Sequence, residues 1–135
     1  MLRHYPFISL PHALGLARVA VAVFFMAHAI ARITLGTIPE FGTFMESAGF
    51  AQGVAVVWAI TLVELVAGSF LILNRQVRYA ATALFFIAAG GVVMIHRHLG
   101  WFVGEHGTGG SEYSVALMVL LIVVAAADRR GSTRL

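Results

Sequence analysis

The stretch FAQGVAVVWAITLVELVAGSFLIL, residues 50–73, is apolar nearly throughout and carries one ionisable side chain, Glu64. At about 1.5 Å of rise per residue a helix over this stretch exceeds the ~30 Å hydrocarbon thickness of a bilayer. It therefore reads as a membrane span. Glu64 falls about fourteen residues into it, close to the midplane, where an unpaired acid is expensive. An acid at that depth must face other protein, pair with a cation or stay protonated.

Working outward, three more apolar runs fit the same ruler, at residues 13–35, 77–96 and 113–127, the last ended by Asp128-Arg129-Arg130. None alternates with period two, so a lipid-facing barrel is excluded and the expected fold is all-α: an integral-membrane antiparallel four-helix bundle forming one domain over residues 1–135. Composition agrees. The 135 residues are 60% hydrophobic and 11% charged, against about 25% charged in soluble domains. The tight turn Asn74-Arg75-Gln76 makes the second and third spans antiparallel neighbours.

The net charge of +3 comes from nine arginines against six acids, with no Lys and no Cys. The arginines flank apolar runs, as membrane anchors do, so nucleic acid is not an expected partner and the lipid bilayer is. With four spans, Arg3, Arg75, Arg78, Arg129, Arg130 and Arg134 fall at one membrane face and only Arg97 lies in a loop at the other. Both termini are therefore expected in the cytoplasm of a bacterial-type cell, with the chain in its inner membrane. A rival reading takes Ala27-His28-Ala29 as a signal-peptide cleavage site. Cleavage there would discard Arg18 and leave three spans, breaking the match between arginine placement and topology. Without Cys there is no disulfide, thiolate metal site or thiol nucleophile, so a redox role must run through something bound.

At about 100° per residue, Gly53, Val57, Ile60, Thr61, Ala67, Gly68 and Leu71 share the face of Glu64, with Gly53 and Gly68 offering close backbone approach. Candidate partners lie on the first span. Arg18 and Arg32 are fourteen residues apart and nearly on one face, with His28 one turn before Arg32. Counting rise from residue 13 puts Arg18 about 8 Å deep, Glu64 about 15 Å and Arg32 about 28 Å. The expectation is an Arg18–Glu64 pair, with Arg32 and His28 serving a separate polar site near the outer surface. Two readings of Glu64 stay open: a structural ion pair that fixes register, or a proton carrier or headgroup anchor. Snorkelling of Arg32 to the interface is its plain alternative.

Residues 96–113, HRHLGWFVGEHGTGGSEY, mix aromatics, imidazoles and glycines. His96 and His98 point about 200° apart on a helix and cannot share a metal unless it unwinds. A metal site from His98, His106 and Glu112 has no recognised ligand spacing, and a haem between His28 and His96 is disfavoured alongside it. The glycines lack the strand and the Lys-Ser or Lys-Thr of a phosphate loop. Ser111 lacks an oriented base for hydrolase chemistry. Trp101 and Phe102 read as interfacial aromatics or as a lid over an outward-facing pocket. Ser111 and Ser114, with Glu112 beside the positive dipole end, read as the start of the last helix.

Across nearly its whole length the chain resembles the DoxX family of small four-helix membrane proteins. The resemblance is carried by Arg18, the run from Phe24 to His28 leading to Arg32, Glu64 with Gly68 after it, and Gly100-Trp101-Phe102. It departs in Ala29, where a Gly usually follows the His, and in Arg32, where Lys is common; the bulkier guanidinium could alter a small-molecule site there. The family is functionally heterogeneous. Some members look like subunits of quinone-linked sulfur oxidation or terminal oxidase systems, others belong to complexes that handle oxidative stress, and vertebrate relatives assist receptor assembly.

The resulting expectation is an accessory or anchor subunit of a quinone-linked membrane redox complex, not catalytic alone. Glu64 and Arg18 are its expected polar core, and His28, Arg32, Trp101, Phe102 and His106 the lining of an outward-facing end where a quinone headgroup docks. The expected partners are a membrane or extracytoplasmic redox protein and a second copy of the chain. The alternatives are a scaffold or assembly factor without a cofactor and, behind it, a small transporter or channel.

Overall fold

The computed structural model describes residues 7–104 and 107–128. Its elements are α1 (Leu10–Thr34), α2 (Ile38–Ser47), α3 (Gly53–Ile72), α4 (Val77–Met94), a 3-10 turn (His96–Leu99) and α5 (Glu112–Ala127). α1, α3 and α4 are each long and apolar enough to cross a membrane, and α5 is a shorter apolar helix. In lipid only a structure that satisfies its own backbone is tolerated, and these helices do so within each segment. The protein is an all-α membrane protein.

Sequence chemistry sets the helix ends. Pro11 and Pro39 sit in the first turns of α1 and α2, where the missing N–H costs nothing. α1 stops in a Schellman motif: Gly36, at φ +66°, lets Thr37 N–H bond the Arg32 carbonyl at 3.1 Å and its own N–H bond that of Ile33 at 3.2 Å. Gly49 ends α2 and Asn74 ends α3 with the same pair of bonds. Each motif turns the chain sharply, so α1 leads directly into α2, and α3 into α4.

Helix α2 lies where the sequence from Gly36 to Gly49, with Pro39, Glu40 and Glu46, reads as a linker between spans. Pro39 and Glu40 belong to a helix start, since the proline occupies the first turn and the acid lies beside the positive dipole end.

α1, α3, α4 and α5 form the bundle, each packed antiparallel on its two neighbours, with α1 and α5 sharing the smallest of the four interfaces. Its core joins Val21, Ala22 and Phe25 of α1, Leu71 of α3, Leu84 of α4 and Leu121 of α5. Many of the buried residues are Ala, as expected where helices associate by close packing and lipid supplies no hydrophobic drive. Large apolar side chains such as Leu62, Val66, Phe86 and Ile122 point outward. α2 packs on α3 at the end of the bundle that carries the long loops, burying Ile38 and Met45 against Val57. A Cβ on Gly53 would overlap the Gly42 carbonyl, so the two backbones touch and fix where α2 lies.

Candidate functional site

The α1–α3 register decides which cation meets Glu64. A Cβ on Gly68 would come within 2.5 Å of Met26 Cγ, so the two helices approach closely there and Met26 stands opposite Gly68. Four residues back along α3, Glu64 is then level with Ile30, four residues on along α1. That puts it about 3 Å along the axis from Arg32 and about 18 Å from Arg18. Side-chain direction acts in the same sense. Every Cα–Cβ bond tilts toward the N-terminus of its own helix, so in an antiparallel pair Arg32 leans down and Glu64 leans up, toward one another, while Arg18 leans away.

Accordingly Arg32 Nη1 donates to Glu64 Oε2 at 2.8 Å and to Thr61 Oγ1 at 2.7 Å, and Thr61 donates onward to the Val57 carbonyl at 2.8 Å. The Arg32 and Glu64 side chains are 14% and 4% exposed. Arg32 Cζ also lies 5.6 Å from the centre of the Phe41 ring, which α2 delivers, a cation–π distance.

The expected Arg18–Glu64 pair is therefore corrected. Arg18 donates instead to the Leu71 carbonyl in the last turn of α3, which also accepts the Asn74 N–H, at the negative dipole end that favours a cation. Nor do Arg32 and Glu64 belong to separate sites.

The pair forms one wall of a cavity of about 330 Å³ in the loop end of the bundle. α1 contributes Phe25, His28 and Arg32; α2 contributes Phe41; α3 contributes Ile60 and Glu64. α4 and its end supply Gly91, Met94 and His96, and α5 supplies Tyr113, Ser114 and Leu117. Among these lining residues only His28 and Tyr113 are exposed. The exposed residues at its mouth therefore come from α1 and α5, whose Phe24 and Tyr113 rings approach to 6.5 Å.

Arg32 carries five N–H donors, and Nη1 is committed to Glu64 and Thr61. Among the described residues Nε and Nη2 donate to no protein acceptor, and no buried side-chain nitrogen or oxygen lacks a partner. Those donors are therefore open to the cavity. His96 is fixed by a 2.8 Å bond between Nδ1 and the Gly109 carbonyl.

Of the residues expected to line the outward end, His28 and Arg32 meet at the cavity. Trp101 and Phe102, each 52% exposed, lie outside its lining, and His106 and Glu105 lie outside the described residues. Phe41, Tyr113 and Ser114 were missed, because only the packing of α2 and the return of α5 bring them there. Ser111 stands at the N-cap of α5, but its hydroxyl makes no capping bond and donates weakly to the Gly100 carbonyl at 3.4 Å. Glu112 instead accepts Val103 N–H at 3.2 Å, tying the loop to α5. No three His, Asp or Glu side chains among the described residues are grouped to hold a metal ion.

Neither the curated proteins nor the solved structures yield a match. The DoxX family model matches residues 13–97, which take in most of α1, all of α2, α3 and α4, and with them Arg18, His28, Arg32 and Glu64. With well over half of its length matched, the chain belongs to the DoxX family.

Proposed function

We propose that this protein is a membrane-embedded accessory subunit of a quinone-linked redox complex, whose loop-end cavity receives a quinone headgroup. The observation that carries the reading is the cavity with the Arg32 guanidinium in its wall and His28 and Tyr113 exposed at its mouth. A mouth between α1 and α5 would admit a lipid-dissolved ligand without its leaving the bilayer. Aromatic and aliphatic walls from Phe25, Phe41, Ile60 and Leu117 suit a planar ring, and a few convergent polar groups are what an oriented headgroup needs.

In this mechanism the free Arg32 N–H groups hold a headgroup oxygen, and Glu64 holds the guanidinium in position. His28 at the mouth and Glu64 within carry protons between the site and the surface. The quinone supplies electron and proton storage when bound, and the electrons come from a partner protein. The arginine distribution supports cytoplasmic termini in an inner membrane, with the cavity facing outward.

Lipid extraction and mass spectrometry of protein purified from native membranes test the proposal. Quinone is expected with the wild-type protein and absent from Arg32→Gln. Wild-type preparations repeatedly free of quinone would overturn it.

A cofactor-free scaffold is the second reading, favoured by the Arg32–Glu64–Thr61 bonds, which by themselves fix register. Glu64→Gln separates the two: a scaffold loses stability or partner binding, whereas a redox subunit stays assembled and its complex loses turnover.

A further inference from the structure

The opposite end of the bundle holds a second cleft, of about 360 Å³, between the first two turns of α1, the α3–α4 turn and the end of α5. Its lining includes Leu10, Leu14, Gly15, Arg18, Asn74 and Asp128. Arg18 is the part-buried cation there, and one of its five donors is used, on the Leu71 carbonyl. Among the described residues no carboxylate lies within ion-pair distance of it, since the sole ion pair is Arg32–Glu64. No buried nitrogen is left unpartnered, so its other N–H groups are open to the cleft.

Position narrows the ligand. The register that sets Met26 opposite Gly68 carries Arg18 past the end of α3 at Ile72, level with the 73–77 turn. α1 continues beyond it for about 12 Å. Arg18 is therefore at the depth where the other helices end, which is the depth of lipid phosphates, while Leu10 and Leu14 give the overhanging part of α1 an apolar wall. Gly15 leaves that wall open, because a Cβ there would meet nothing within 4 Å. Arg78, which donates to the Asp128 carbonyl at 3.0 Å, adds a second positive charge and, with Arg18, outweighs the Asp128 carboxylate.

We infer that this cleft binds a phosphate group through the Arg18 guanidinium, carried by a phospholipid headgroup or free in solution. A guanidinium fork matches two phosphate oxygens at once. The inference is independent of the quinone reading, which concerns the other end of the bundle.

The test uses delipidated full-length protein in detergent. Thermal unfolding and native mass spectrometry compare phosphatidylglycerol with phosphatidylcholine, and inorganic phosphate with chloride at equal ionic strength. Wild-type protein should be stabilised by, and retain, phosphatidylglycerol over phosphatidylcholine if the phosphate comes from lipid; stabilisation by inorganic phosphate alone would assign the free ion. Arg18→Gln should bind roughly tenfold more weakly, as loss of a charge-assisted hydrogen bond requires, and Arg75→Gln, an exposed arginine at the same end, should bind as wild type. Gly15→Leu, which fills the cleft while keeping the Arg18 guanidinium in the chain and suits a helix, should weaken binding too, and it decides the matter if Arg18→Gln does not fold. Wild-type protein indifferent to both anions, or undiminished binding by Gly15→Leu or a folded Arg18→Gln, would overturn the inference.

Discussion

Arg32 shows how a single guanidinium can serve packing and ligand binding together. Its Nη1 closes the ion pair with Glu64 and the bond to Thr61, its plane rests near Phe41, and its remaining donors stay open to the cavity. Removing the aromatic while leaving the ion pair isolates one of these roles. Phe41→Leu should lower stability by about 0.5–2 kcal/mol, the range from exposed to desolvated cation–π pairs, and should weaken retention of quinone in lipid extracts. Unchanged melting and retention would show that Phe41 does not hold Arg32. At this scale the sequence was partly legible. Glu64 stood out as the lone ionisable group of its span, and Thr61 was correctly set on its face. The choice between Arg18 and Arg32 was not legible from depth alone, because axial counting ignores both the register and the N-terminal lean of side chains.

Helices are positioned by small residues at their crossings. Gly53 against Gly42 seats α2 on α3, and Gly68 against Met26 sets the α1–α3 register. Enlarging them has different consequences. Gly53→Val forces backbone apart and should cost about 1–3 kcal/mol, freeing α2 and increasing protease cleavage between residues 36 and 49. Gly68→Val meets the Met26 side chain at Cγ before it meets any backbone, so a smaller loss is expected, recovered in part by Met26→Ala. If Gly53→Val melts as wild type and keeps its cleavage pattern, α2 is not seated as described. The apolar runs announced α1, α3, α4 and α5 to within a few residues. α2 escaped because a ten-residue amphipathic helix in a connecting segment gives little periodic signal, and because Pro39 and Glu40 read equally as loop residues or a helix start.

For the whole molecule, the two ends of the bundle differ in chemistry. One carries Arg18, Arg75 and Arg78 with the tight α3–α4 turn; the other carries the Arg32 cavity, α2 and the glycine-rich loop. The excess of arginine at the first end predicts that it faces the cytoplasm. Because the chain has no Cys, single replacements report topology cleanly. Arg75→Cys should resist an impermeant maleimide added to intact cells, and Thr108→Cys should react with it. The reverse pattern would invert the orientation and place the quinone cavity at the cytoplasmic side.

The account rests on the Arg32–Glu64 pair, and a double-mutant cycle on unfolding in detergent measures it directly. With Arg32→Leu, Glu64→Leu and the double variant, the coupling should be about 1–3 kcal/mol, because each single change strands a charge and the double change removes both. The parallel cycle with Arg18→Leu should give coupling within about 0.5 kcal/mol of zero, as for residues that share no partner. Strong coupling of Glu64 to Arg18 with none to Arg32 would contradict the register on which the cavity is built.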